Sequence, residues 1–486
     1  MTPEEIARLH QFREGFTLVD YAEVGLPVFR LTIEAVTTSH RMMPTIHEFV
    51  MRSLALGVER ETDIARMLGL KIDILQGATN LLVSDGFVAR QAIQPVESFR
   101  LTDAGQLRLE QESVEELKEE MLVIDYDGIR RLPIRLAGAS VLRASELRTN
   151  GAVEIRPYPA DAPPITELAI PDVTRVIRRQ GGEDFRRTVL ALKRIVRRNN
   201  VFREAVALVF AADRGEEVQV AFAIDGKLSD LHERAFAEHG GPRKMGFVKA
   251  INEGDVKRRI ERIAGKQLVR DYPPKDAMAG SRREYLEAEV AVRSLAGAAQ
   301  AASRNSPARN AHRDAQERLG VARHALLAIQ TRPLVCYEQD ELLEEALNGA
   351  QRSLLITSAG LQPLIVNGYF LRSIDKLIES NVTVRFETQL TPSLEPRGGD
   401  QYDPLAALSK RAADNKLVLE KAPRQELYFL IQDDDLAVIS NRPFLGDVGR
   451  RSGFTRIEGL VTRQPSSVRA IRDALAASTS APRRRA

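Results

Sequence analysis

Glu426-Leu427-Tyr428-Phe429-Leu430-Ile431-Gln432-Asp433 is an apolar run that ends on an acid, and Asp434-Asp435 follow before a second apolar run from Leu436 to Ser440. Two short buried strands joined by a polar hairpin turn account for this pattern. Working outward, residues 353–358 form a strand-like stretch after the helical pattern at 338–351. A helical pattern at 369–380 then leads into a short strand at 382–386. Clustered carboxylates such as Asp433, Asp434 and Asp435 can hold Mg²⁺, but between two apolar strands the turn is the expected role. No metal and no cofactor are expected.

In the order of these elements, residues 333–476 resemble one repeat of the phospholipase D-like fold. That family carries His-x-Lys, then four residues, then Asp, because the His attacks phosphorus while the Lys steadies the phosphoryl oxygens. In this sequence Glu426 stands at the His position and Tyr428 at the Lys position, and only Asp433 fits. The family's following Gly-Ser-x-x-Asn element falls on Ser440, Asn441 and Phe444 and is lost, whereas Glu458 keeps the late acidic residue. All seven histidines lie between His10 and His324, so this region has none to act as nucleophile. A carboxylate can form a phospho-intermediate, but without Lys and His the developing charge has no stabilising partner. The resemblance therefore implies a pseudo-enzyme, in which Tyr428, Arg442 and Arg456 remain to meet a phosphate or polymer backbone. Active members combine two repeats into one site, so it also implies a homodimer through this domain.

Residues 45–106 have the layout of a winged helix-turn-helix. Helical patterns cover 45–57, 62–68 (capped at Glu61 or Thr62 and closed by Gly69) and 71–84, the last placing Ile74, Ala78, Leu81 and Leu82 on one face. Asp85-Gly86-Phe87-Val88 turns into a wing whose return strand ends in Leu101-Thr102-Asp103-Ala104-Gly105. A helix that reads the major groove presents polar side chains near its N-terminus. This one offers Lys71, Gln76 and Asn80, of which Gln76 and Asn80 are the candidates for bases, with Arg66 and Arg90 on phosphates. Asp73 and a net charge of minus 4 over residues 1–110 argue equally for protein docking.

An acidic helix is predicted at 110–120, and the prolines at 157–171 predict an extended connector. Residues 171–203 carry ten Lys or Arg against three acids. Arg178, Arg179, Arg186, Arg187, Lys193, Arg194, Arg197 and Arg198 form a candidate phosphate-tracking face, read locally as an amphipathic helix at 185–198 with Leu190, Leu192, Ile195 and Val196 inward. Arginine outnumbers lysine 57 to 13 along the whole chain, so this run also fits a solvated face. Strands at 204–211 and 217–224 flank the tight turn Asp213-Arg214-Gly215, and a helix follows at 229–239 whose His232 and His239 are expected at the surface. Two long helical patterns, 281–302 and 308–329, break at Asn305-Ser306-Pro307 and suggest a helical hairpin.

The fold class expected is multidomain α/β and α+β. A winged helix with an N-terminal extension occupies 1–110, the acidic helix and connector 111–170, and a basic α+β domain 171–280. The helical hairpin takes 281–330, the phospholipase D-like α/β domain 331–477, and a disordered basic tail 478–486. With 43% hydrophobic and 28% charged residues the 486-residue chain has ample material for several cores, and no apolar run approaches the ~20 residues of a spanning helix. The single Cys336 lies in an apolar stretch, permits no internal disulfide and is expected in the core. With an acidic, polar start at Met1-Thr2-Pro3-Glu4-Glu5, a cytoplasmic protein is expected.

Three functions follow as expectations. The first is a non-catalytic nucleic-acid-binding or scaffold subunit of a bacterial system, with DNA or proteins as partners; its domain combination suggests phage defence by analogy. The others are a nuclease or phosphodiesterase using Glu426 and the Asp433 cluster, and a winged-helix regulator sensing a ligand. The dimer is checked by sedimentation equilibrium at micromolar concentration: twice the chain mass is expected, and a monomer mass removes it.

Overall fold

A computed structural model describes the chain except for residues 94–95, 111–112, 137–140, 181–187, 253–254, 271, 274, 304–305, 390–401, 415, 423–424, 447–453 and 481–486, and except for the side chains at 39–42, 92–96, 113–116, 179–180, 275–276 and 478–480. The chain is multidomain and mixed α/β. Two compact units divide it: Met1–Pro27 with Ser140–Ala160 and Phe202–Ala486, and Val28–Ala139 with Asp161–Val201.

In the first unit, seven strands form one sheet in the order Thr331–Pro333, Gly459–Thr462, Leu436–Ser440, Tyr428–Gln432, Ser353–Ser358, Thr383–Thr388, Val418–Lys421. The last three run parallel to one another, and the rest are antiparallel to their neighbours. Leu354, Ile356, Val384, Phe386, Leu430 and Val438 face helices Gln339–Gly349 and Gly368–Glu379. Leu355, Phe429, Ile431, Ala437, Ile439 and Leu460 lie under helices Val256–Ala264, Lys266–Arg270 and Pro465–Ser480. Burial on both faces explains why these strands are continuously apolar instead of alternating. The last helix runs through Ser480, so residues 478–480, assigned from composition to a disordered tail, continue it.

Asp433 closes the hairpin. It adopts φ +47°, a left-handed conformation that Asp tolerates at modest cost. Its buried carboxylate accepts the backbone N–H groups of Gln351 (2.8 Å), Arg352 (2.8 Å) and Ser353 (2.7 Å), while its own N–H donates to the Ser353 carbonyl. The turn is thereby fastened to the leading edge of the neighbouring parallel strand. At the hairpin's other side Gly459 is obligatory, because a Cβ there would meet the Ile439 carbonyl oxygen at 2.3 Å.

The hairpin expected around Asp213-Arg214-Gly215 is present, with Val218–Ile224 antiparallel to the end of Thr188–Ala212. Leu208 and Phe210 on it share a core with Ile6 and Ala7 of helix Pro3–Leu9, and with buried Cys336, whose thiol burial pushes up. Helices Lys275–Ala301 and Pro307–Leu327 form the expected pair, the second capped by the Ser306 hydroxyl.

In the second unit, helices Thr45–Ala55, Glu61–Leu68 and Ile72–Ser84 precede a two-stranded sheet, Val88–Ile93 with Val96–Leu101, and helix Asp103–Glu110. The Leu101-Thr102-Asp103-Ala104-Gly105 stretch has a physical reason. The Thr102 hydroxyl accepts the Gly105 N–H, and a Cβ at Gly105 would meet the Phe87 carbonyl at 2.1 Å. One expectation fails here: the inward face of the third helix is Leu75, Ala78, Thr79 and Leu82, whereas Ile74 and Leu81 are 46% and 55% exposed. Burying Thr79 is tolerated because its hydroxyl donates to the Leu75 carbonyl at 2.9 Å.

Two predicted helices are strands. The acidic segment assigned to a helix at 110–120 contributes to strand Ser113–Asp127, paired antiparallel with Phe16–Met42 from Val28 opposite Asp127 to Met42 opposite Ser113. Leu122, Ile124 and Tyr126 at alternate positions lie with Phe29, Leu31 and Ile33 in one core, a period of two that outweighs the helical spacing of the glutamates. Of the basic segment predicted as a helix at 185–198, the described residues 188–198 belong to strand Thr188–Ala212, with Val189 buried but Leu190 and Val196 exposed. Sheet partners far away in sequence override local helical spacing in both. Asp433→Ala, which removes the charged acceptor of three part-buried N–H groups, is expected to cost about 2–4 kcal/mol in urea unfolding; a loss below ~0.5 kcal/mol contradicts the clamp.

Candidate functional site

The positions that carry chemistry in phospholipase D-like proteins separate into two ends of the hairpin. Tyr428 pairs across to Ser440, and Ser440 to Gly459, so Glu426, Tyr428, Ser440, Asn441 and Glu458 gather at one end. Asp433 lies at the other, about 15 Å along the strand at ~3.3 Å per residue.

At the first end the polar atoms hold the fold together. The Asn441 side chain donates to the Arg456 carbonyl (2.7 Å) and accepts the Glu458 N–H (3.0 Å), while its backbone N–H donates to the Glu458 carbonyl. The Glu458 carboxylate pairs with Arg456 at 2.7 Å. Tyr428 is buried and its hydroxyl donates to the Gln425 carbonyl at 3.1 Å. Ser440 Oγ accepts the Arg442 N–H, and the Arg442 carbonyl accepts from Gln339. Glu426 is exposed and paired with Arg259 at 2.9 Å. Phosphoryl transfer needs a nucleophile with a base or cation aimed at the developing charge. Here a glutamate is neutralised by an arginine and a tyrosine is turned to its own backbone.

Local spacing did not point to Ser358, Gln339 or Arg259. Ser358 Oγ donates to the Gly360 carbonyl and accepts the Leu445 N–H, tying together segments 87 residues apart. On the neighbouring strand, opposite Thr357, buried Glu387 keeps one carboxylate oxygen without a hydrogen-bond partner, and burial raises its pKa against the pull of Arg385.

At the far turn, Asp434 faces Arg472 (3.0 Å), Arg352 (3.6 Å) and Arg469 (3.7 Å). With Asp433 spent on backbone N–H groups and Asp434 met by three guanidiniums, the triple-Asp turn is a poor cation site. Among the described residues no cluster of three or more His, Cys, Asp or Glu is placed to hold a metal. His232, expected at the surface, is buried with Nδ1 2.7 Å from Ser229 Oγ.

The candidate nucleic-acid contacts are scattered in environment. Lys71 and Gln76 are exposed at the start of helix Ile72–Ser84. Asn80 is bonded to Arg90, which also lies over the Phe99 ring, and Arg66 pairs with Asp63 at 3.5 Å. Arg178 donates to Thr188. On strand Thr188–Ala212, Lys193 pairs with Glu119 (2.5 Å) and Arg194 with Glu34 (2.7 Å), whose carboxyl this bond holds below its ordinary range. Arg197 bonds Asn199, and Arg198 is exposed. Arg186 and Arg187, and the side chain of Arg179, lie outside the described residues. Of the described members of the basic run, Lys193 and Arg194 are thus paired with acids of adjoining strands, and Arg178 and Arg197 are bonded to neutral side chains.

No protein-family model matches the sequence, and no curated protein matches it. Solved structures that resemble parts of it include the following three. TrmBL2, an archaeal chromatin protein whose structure shows a novel mode of DNA binding, is 19% identical over 36% of this chain and 62% of its own, with a TM-score of 0.23. NucT from Helicobacter pylori is 11% identical over 31% of this chain and 96% of its own, at 0.22. Phosphatidylserine synthase of Haemophilus influenzae Rd KW20 is 13% identical over 33% and 46%, at 0.22. Scores this low carry no argument about activity.

Replacing Asn441 by Ala leaves the Arg456 carbonyl and Glu458 N–H without partners. Denaturant unfolding is expected to show a loss of about 1–3 kcal/mol; unchanged stability contradicts a structural role.

Proposed function

We propose that this chain is a non-catalytic nucleic-acid-binding protein, combining a winged helix-turn-helix at 45–106 with a degenerate phospholipase D-like domain at 331–477. The observation that carries the non-catalytic half is the commitment of Tyr428, Asp433, Asn441 and Glu458 to backbone groups and a neighbouring ion pair, with Glu426 neutralised by Arg259. A nuclease working through Glu426 and the Asp433 cluster loses support from the same contacts. Duplex contact falls to Lys71 and Gln76 on the exposed start of helix Ile72–Ser84, flanked by Arg66 and Arg90 on the backbone. Pairing of the C-terminal domains as a homodimer belongs to the same proposal.

A docking scaffold is the second reading, favoured by Ile72, Ile74 and Leu81, which are exposed on that same helix beside Asp73. Fluorescence anisotropy with single- and double-stranded oligonucleotides separates the two. Duplex binding that weakens linearly in log[salt] is expected, and it should be reduced about tenfold by Lys71→Ala with Gln76→Ala. No binding to any oligonucleotide at low salt contradicts the nucleic-acid reading and leaves the scaffold.

A further inference from the structure

Helices Lys275–Ala301, Pro307–Leu327 and Gln339–Gly349 border a cavity of ≈ 610 Å³ that none of the degenerate positions lines. This volume is in the usual range of small-molecule sites. Five arginines reach it. Three are satisfied by carboxylates: Arg8 by Glu289 (3.2 Å) and Glu341, Arg332 by Glu338 (2.5 Å) and Arg463 by Glu345 (2.6 Å). The remaining two, Arg282 and Arg323, make no ion pair among the described residues. Arg282 is the more telling, because both its Nε and its Nη2 are buried with no hydrogen-bond partner. Buried guanidinium N–H groups are ordinarily satisfied, and an exception calls for a group that completes them. Against its burial, the charges of Arg332 and Arg282 hold the Glu338 carboxyl below its ordinary range; that carboxylate accepts hydrogen bonds from Arg332 and the Val335 N–H and none from Arg282.

We propose that this cavity binds a small phosphorylated molecule, its phosphate held by Arg282 and Arg323 and its organic part against Tyr285, Leu326 and Leu327. Two guanidinium forks match the charge and the oxygens of a phosphate monoester. Glu344, which also lines the cavity, sets a negative charge at its border and disfavours a polyanion, so the ligand is a metabolite-sized ester and not a nucleic-acid strand. The site is independent of the nucleic-acid reading.

Isothermal titration of the full chain with glucose 6-phosphate, adenosine monophosphate, inorganic phosphate and citrate tests this. At least one ester is expected to bind more tightly than inorganic phosphate and citrate, and Arg282→Gln and Arg323→Gln should each weaken it by about tenfold or more. Should Arg282→Gln fail to fold, the Arg323→Gln variant decides. Absence of binding by both esters, tighter binding of citrate, or an affinity unchanged in both variants overturns the proposal.

Discussion

The carboxylate of Asp433 is the contact on which the larger unit's architecture turns. Three N–H groups at the start of strand Ser353–Ser358 converge on it, and charge-assisted bonds of this kind are about twice as strong as neutral ones. Once the turn is fixed there, the antiparallel register of Tyr428–Gln432 against Ser353–Ser358 follows, and with it the row Tyr428, Ser440, Gly459 at the opposite end. A one-residue slip would exchange the two buried faces, driving Phe429 and Ile431 into the core that holds Leu430. Asp433 is also the one position that fits the phospholipase D-like pattern in full, and the role visible for it is structural.

The same economy explains the other degenerate positions. Asn441 and Glu458 bind each other's backbones and Arg456, so the end of the hairpin that carries them is tied together by its own hydrogen bonds. Arginine is the dominant cation here, and of the arginines expected to face nucleic acid Arg194 neutralises a carboxylate on an adjoining strand, Glu34, and Arg66 one on its own helix, Asp63, while Arg90, Arg178 and Arg197 bond neutral side chains. Such pairs at the surface contribute little stability, but they remove net charge from a face that composition alone marks as basic.

Much of this was legible in the sequence where the deciding interactions are local. The hairpin at Asp213-Arg214-Gly215, the break before Pro307, and the apolar runs on either side of Asp433-Asp434-Asp435 all rest on contacts within a few residues. What failed rests on partners a long way off. Residues 113–127 and 188–212 carry charges at helical spacing, and only pairing with a strand that begins at Phe16 makes their alternate positions a core. On helix Ile72–Ser84 the apolar spacing places Ala78 and Leu82 inward, as they are, but Leu75 and Thr79 take the places expected for Ile74 and Leu81, because a buried Thr79 satisfied by the Leu75 carbonyl is invisible to an apolar count. Arg282 lay in an Ala/Arg/Glu-rich helix with nothing local to distinguish it; only the fold leaves its nitrogens without a partner.

The most direct measurement is prolonged incubation of the protein with labelled single- and double-stranded oligonucleotides, with and without Mg²⁺, resolved on a denaturing gel. Intact oligonucleotide under every condition is the result this account predicts. Cut product that disappears with Glu426→Gln would contradict it, because a residue assigned to an ion pair with Arg259 would then be doing chemistry.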